Sequence, residues 1–253
     1  MEKKIRKNLL IFVFSGLLFF AFTMPFRKIL SVFTVSEVRP AAVLNPFLGI
    51  CFGLPSALGI MVANLIADAV SGYPLAVLLE GLVPQFLYTY VPYLMWKKLT
   101  AGEDHIHRLD CAGRVLKFAL VVLVSALLAG VGVGLIVHGN FGAPFLSCAF
   151  FVLLNNFDIG LLLGCPLMIL SNQIISRRSG TDRTVTDNEK IILVTAALEI
   201  VGLAVLIPTA YAGGQTAGLY DIWNTIYLYA VVMLNAMMLI SLFFMWAYQQ
   251  KKD

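Results

Sequence analysis

The run Pro40-Ala41-Ala42-Val43-Leu44-Asn45-Pro46-Phe47-Leu48-Gly49-Ile50-Cys51-Phe52-Gly53-Leu54-Pro55 opens a stretch that stays almost continuously apolar as far as Trp96. A helix needs about 20 apolar residues to cross the hydrocarbon of a bilayer. Pro46, Pro55, Gly72 and Pro74 divide this stretch into Pro40–Gly53, Pro55–Ser71 and Tyr73–Trp96. The first two pieces are short. They are either tilted or partial helices covered by neighbours or a broken hairpin, because irregular backbone at membrane depth survives only where protein or a cavity covers it.

Composition gives the same environment for the whole chain. Of 253 residues, 60% are hydrophobic and 13% charged, and the mean hydropathy is +0.88. A soluble domain carries about 25% charged residues, so roughly half the charge needed to clothe a surface in water is missing. The longest polar stretches, Trp96 to Lys117 and Gln173 to Lys190, are too short to build a core of their own and leave no room for a catalytic head in the cytosol. The net charge of +4 is small, and nothing in it favours nucleic acid.

Working outward, the first span is Asn8 to Met24, preceded by Glu2-Lys3-Lys4-Ile5-Arg6-Lys7. A basic start before an apolar run also describes a signal peptide, but Phe22-Thr23-Met24-Pro25-Phe26-Arg27 lacks a small-x-small cleavage site, so the span reads as retained. Beyond Trp96 the spans are Val115–Val137, Ala143–Ser171, Ile191–Tyr211 and Ile222–Tyr248. The fold class is an all-α polytopic membrane bundle of about eight spans; merging the short pieces gives six or seven. Fifteen of the eighteen lysines and arginines fall in four clusters: Lys3 to Lys7, Lys97 to Lys117, Arg177 to Lys190, and Lys251-Lys252. Short cytoplasmic loops collect such residues. With all four clusters inside, the intervening blocks hold four, two and two spans, and both termini are cytoplasmic. Arg27, Lys28 and Arg39 then lie outside.

Ionisable groups are costly in lipid, so those inside spans are the natural site candidates. Asp68, Glu80, Asp158 and Glu199 qualify. Asn64 and Asp68, four apart, share a helix face. Asp68 and Glu80 fall toward the outer leaflet, and Arg39 at the start of the second span lies at similar depth. Arg39 paired with an acid would be structural, whereas a guanidinium or carboxylate left to a ligand would bind its charged end. Asn45, Asn64, Asp68, Glu80 and Gln85 are concentrated in about forty residues, which favours a cavity over scattered packing. Asn155, Asn156 and Asp158 form a second polar cluster inside the sixth span. Bonds between helices in membranes average well under about 2 kcal/mol, so glue alone is a modest reason for three polar groups there. Glu199, with Asn235 opposite, reads as a structural pair.

Other features read as structure. Gly49, Gly53 and Gly59, and Gly130, Gly132 and Gly134, suit close helix packing. Cys51, Cys111, Cys148 and Cys165 read as free thiols. His105, His107 and Cys111 match no zinc spacing. No nucleophile elbow, Walker loop or His-Glu-x-x-His is present. Tyr88, Tyr90, Tyr93 and Trp96, like Trp223, Tyr227 and Tyr229, suit interface belts and packing, with stacking on a flat ligand open to a few.

The stretch Glu37 to Gly53, followed by Pro55, Gly59, Asn64 and Asp68, resembles the substrate-binding S components of energy-coupling-factor (ECF) vitamin transporters and their prokaryotic membrane relatives. The shared look is a proline-entered apolar helix, a turn of the type Phe52-Gly53-Leu54-Pro55, then a small-residue helix ending in Asn64-x-x-x-Asp68. Val83 to Tyr93, and Ala143-Pro144-Phe145 with Asn155-Asn156, fit the same group, and the resemblance covers about residues 8 to 172. It implies a six-helix core over residues 1–176 that captures a small nutrient near the outer face, energised by a transmembrane T component and two ATPases. A cytoplasmic loop over 177–190 and an additional hairpin over 191–253 follow that core. Two features depart from the pattern: the first span lacks the Ala-x-x-x-Ala face of many S components, and two spans follow the core.

The expected function is uptake of a small water-soluble nutrient, vitamin or nucleobase-like, by a multi-pass cell-membrane protein that is no enzyme and needs no cofactor or metal. Arg39, Asn45, Asn64, Asp68, Glu80, Gln85, Asn155, Asn156 and Asp158 are the candidate binding residues. Two alternatives stand beside it. One is a membrane sensory module signalling to a separate cytoplasmic protein; the other is a lipid-modifying enzyme using Asp68, Glu80 or Asp158 as acid or base.

Overall fold

The computed structural model describes residues 2–25, 40–101, 108–178, 184–197 and 200–201, and among these every regular element is helical. Helix α1 spans Glu2–Thr23. A 3-10 turn, Pro40–Val43, leads into α2, Leu44–Phe52, and then α3, Leu54–Val70. A short α4, Leu75–Glu80, precedes α5, Leu82–Leu99. They are followed by α6, Ala112–Phe141, α7, Phe145–Leu162, and α8, Gly164–Arg178. Residues 187–197 are helical as well.

Four helical stretches are long and apolar enough to cross a membrane: Glu2–Thr23, Leu75–Leu99, Ala112–Phe141 and Phe145–Ile174. Pro40–Phe52 and Leu54–Val70 are shorter and apolar. These six correspond to the first six spans read from the sequence. The eighth span and most of the seventh lie outside the described residues, as do Arg39, Glu199 and Asn235, so the described residues hold four long apolar helices and two short ones of the expected eight or so. Two expected spans are interrupted. The fourth breaks at Gly81 and the sixth at Leu163, each three residues before a proline, Pro84 and Pro166. Proline has no N–H, so the carbonyls of Glu80 and Leu162 lose their usual helical donors, and the ladder opens there.

The chain divides into two compact units, one of residues 1–106 and 117–164 and the other of 107–116 and 165–253. In the first, α1 lies along α3, burying Ser15, Phe19 and Thr23 at four-residue intervals. The backbones nearly touch: a Cβ built on Gly59 would overlap the carbonyl of Phe12, and one on Gly16 would sit 2.9 Å from the carbonyl oxygen of Gly59. Helix α2 packs on α5 in the same way, with Gly49 against the Thr89 backbone. Gly53, alone between α2 and α3, has φ +65°, a conformation that glycine adopts without the penalty a side chain brings. Gly130 and Gly134 of α6 face Ala149 of α7. The glycines thus act as the small surfaces that let membrane helices close on one another.

Of the two roles expected for Tyr88 and Trp96, interface belt and packing, both take packing: they are 2% and 1% exposed. Trp96 meets Phe118 edge-on at 6.0 Å between ring centroids. The Tyr88 hydroxyl donates to the backbone carbonyl of Asn156, 3.2 Å away, which meets the polar requirement of a buried tyrosine. By contrast Ile5, Leu9, Leu10, Val13, Phe14 and Leu17 on α1 are exposed, a face suited to hydrocarbon rather than water.

In the second unit Asp110 accepts from Arg108 at 2.9 Å and Arg114 at 2.6 Å, and Asn188 donates to the Asp110 backbone carbonyl at 3.0 Å. Thr186 and Glu189 form a reciprocal cap. The Thr186 amide donates to Glu189 Oε2 at 3.0 Å and the Glu189 amide donates to Thr186 Oγ1 at 3.3 Å, starting the helix at 187. All four cysteines carry reduced thiols.

Candidate functional site

The first unit encloses a cavity of about 430 Å³, within the range of small-molecule sites, roughly 300–1,000 Å³. Its polar groups come from four places. Asn45 is in the first turn of α2, Asn64 and Asp68 stand one turn apart on α3, Gln85 and Tyr88 are on α5, and Asn155 and Asn156 are on α7. Apolar and aromatic groups fill the rest: Phe19 from α1, Tyr73 from the segment before α4, Val133 and Phe141 from α6, and Val152 from α7. Among the described lining residues Asp68 carries the one formal charge.

These side chains differ in how far the protein has already used them. Asn45 is fully engaged. Its Nδ2 donates to the Ala42 carbonyl at 3.2 Å, while its Oδ1 accepts from Gln85 Nε2 at 2.7 Å and Thr89 Oγ1 at 2.8 Å. Thr89 Oγ1 has the Gln85 carbonyl, 3.1 Å away, as an alternative acceptor. This knot pins the turn before α2 to α5 and sets the angle at which Gln85 enters the cavity. Asn64 Nδ2 donates to Asp68 Oδ2 at 2.6 Å. Asn155 and Asn156, in contrast, spend neither side-chain amide on a described residue.

Of the nine residues expected to bind, Asn45, Asn64, Asp68, Gln85, Asn155 and Asn156 face this one space. Glu80 does not line it. The break at Gly81 leaves Glu80 exposed at the end of α4, where its Oε2 accepts from Asn140 Nδ2 at 2.7 Å and ties α4 to the end of α6. Asp158 is also off the lining. Two positions beyond Asn156 on α7 it turns roughly 200° around the helix, given about 100° per residue, and is buried in packing. Arg39 lies outside the described residues. Sequence reasoning did not single out Tyr73, Thr89 and Phe141. Thr89 carried a signal, since it stands four residues after Gln85 and so on the same face of α5; Tyr73 and Phe141 carried none, because only the folded chain closes them over the cavity.

No curated protein and no solved structure matches the chain. A family model described as QueT transporter matches residues 14–173, a region that contains every residue lining the cavity. Since that match takes in more than half of the 253 residues, the chain belongs to the QueT transporter family, a family of ECF-type S components.

Proposed function

We propose that the chain captures a queuosine precursor in this cavity and hands it across the membrane with the help of an ECF T component and its ATPases. The family is one of S components for queuosine-precursor uptake. Queuosine is a modified purine-type nucleoside, so its precursors carry a flat base with hydrogen-bonding edges. The observation that carries the reading is the pair of uncommitted carboxamides, Asn155 and Asn156, in a space of about 430 Å³ otherwise walled by apolar and aromatic groups. A few oriented polar groups in an apolar pocket are what recognition of a small polar ring requires. Tyr73 and Phe141 supply flat surfaces against which such a ring packs.

Function here is binding and release, with no covalent step. Asn45 holds Gln85 in place; Asn64, Asp68, Gln85, Asn155 and Asn156 meet the ligand. The distribution of lysine and arginine supports cytoplasmic termini and a cavity that opens outward. Isothermal titration of the purified chain in detergent with the free base of queuosine tests the reading. One-to-one saturable heat is expected, along with uptake of that base by cells only when the ATPase module is co-expressed. The reading fails when no queuosine-related base gives heat or raises the melting temperature.

A further inference from the structure

Helix α1 begins well before the helix it packs on. A Cβ built on Gly59 meets the Phe12 backbone, and one built on Gly16 meets the Gly59 carbonyl and lies 3.7 Å from the Cβ of Ala63. The two helices therefore run parallel in one register, which puts Leu54, the first residue of α3, level with about Lys7. Glu2 to Lys7 extend past it, roughly 9 Å of helix at about 1.5 Å per residue, and every one of them is exposed. Four carry positive charge: Lys3, Lys4, Arg6 and Lys7. Among the described residues no acid pairs with any of them. Lys97 and Lys98, exposed one turn past the Tyr93 ring that touches Gly53, add two more cations at the same end of the unit.

These cations are not spread evenly around α1. Counted at about 100° per residue, Lys3, Arg6 and Lys7 fall on one line with Leu10, Val13, Phe14 and Leu17 to within about 60°. The buried Ser15, Phe19 and Thr23 lie on the opposite side. Each apolar member of the line is at least 45% exposed, so one outward stripe is cationic at its start and apolar along the rest. A phospholipid with an anionic headgroup has the same order along its length, phosphate and then hydrocarbon. We propose that this stripe is a binding site for an anionic phospholipid, with the headgroup phosphate on Lys3, Arg6 and Lys7 and an acyl chain along Leu10, Val13, Phe14 and Leu17. A guanidinium takes two phosphate oxygens at once, and basic clusters beside a membrane helix attract anionic lipid. The site is separate from the cavity, whose lining residue on α1, Phe19, stands twelve residues beyond Lys7, and it does not depend on what the cavity holds.

The test is native mass spectrometry of the full-length chain released from detergent, titrated with phosphatidylglycerol and, separately, with phosphatidylcholine of the same acyl chains. One phosphatidylglycerol is expected to bind at a concentration about tenfold or more below that needed for phosphatidylcholine. Arg6→Gln and Lys4→Gln each remove one charge from the same stretch of helix, but Lys4 lies about 120° off the stripe. Arg6→Gln is expected to weaken phosphatidylglycerol binding by about fivefold, the effect of one basic side chain at an anionic surface, and Lys4→Gln by less than about twofold. Both positions are exposed, so neither change disturbs packing. Equal losses in the two variants show a diffuse positive field instead of a site and overturn the proposal, as does a parent chain that takes up the two lipids equally. Displacement of the bound lipid by glycerol 3-phosphate at similar concentration assigns the stripe to free phosphate and overturns it as well.

Discussion

Replacing Gly49 by alanine adds one methyl group at the tightest point between α2 and α5. Its Cβ would overlap the carbonyl oxygen of Thr89 and lie 3.1 Å from the carbonyl carbon and 3.5 Å from Cγ2. The obstacle is backbone, which no rotamer change removes. Restoring ordinary contacts of about 3.5–4.0 Å requires α2 to retreat by on the order of 1 Å. That movement stretches the bonds from Asn45 Oδ1 to Gln85 and Thr89, now 2.7 and 2.8 Å, past useful length. Overpacking costs about 1–3 kcal/mol, and each inter-helix bond lost in a membrane protein adds roughly 0.6 kcal/mol. The sum is about 2–4 kcal/mol. The measurement is reversible unfolding in mixed detergent micelles, with Gly139→Ala as the matched control. Gly139 is exposed with no atom within 4 Å of a built Cβ, so there the change is neutral or gains up to about 1 kcal/mol of helix propensity. A Gly49→Ala chain as stable as the parent, to within about 0.5 kcal/mol, would refute the argument, because the packing alone is assigned more than that.

Three further outcomes follow from other contacts. Gly59→Ala is expected to push α1 off α3, since its Cβ meets the Phe12 carbonyl; a loss of about 1–3 kcal/mol should appear in the same unfolding assay, accompanied by faster proteolysis near the start of α1. Tyr88→Phe removes the donor to the Asn156 carbonyl and should lower stability by about 0.5–1.5 kcal/mol. Glu189→Ala should cost about 1 kcal/mol at the reciprocal cap with Thr186, seen as faster amide exchange over residues 186–189, whereas Glu189→Gln should behave like the parent because an amide oxygen accepts the Thr186 N–H equally well.

Much of the core was legible beforehand because prolines and glycines announce where apolar helices start and stop. Pro46 and Pro55 fall in the first turns of α2 and α3, where a missing N–H is tolerated, and Gly53 makes the link between them. The gathering of Asn45, Asn64 and Gln85 could be read as well, since polar groups in so apolar a stretch need one another or a cavity. What escaped the sequence depends on contacts between distant segments. Glu80 sits four residues before Pro84, and only the resulting break takes it out of the helix face that aims at the cavity. Asp158 and Asn156 are near neighbours in sequence, yet their azimuths on α7 separate packing from lining. The sequence left Tyr88 and Trp96 open between an interface belt and packing, because an aromatic residue in an apolar helix has the same signature in either, and only the fold places both in the core.

The shortness of α2 bears on how the protein is assembled. Nine helical residues reach about 14 Å, less than half the thickness of the hydrocarbon. Such a segment cannot hold itself across a bilayer as an independent insertion unit, and the carbonyls at its ends find no partners in lipid. It becomes stable only once the Asn45 knot to α5 and the seat for Gly49 exist, and α5 is synthesised some forty residues later, as the separation of Asn45 from Gln85 and Thr89 shows. The segment is therefore expected to dock only after α5 is in place. The side of the cavity that Asn45 and Gln85 line is accordingly completed only after α5 is made, and a truncated chain ending before α5 should be recognised by quality control as an unfinished membrane protein.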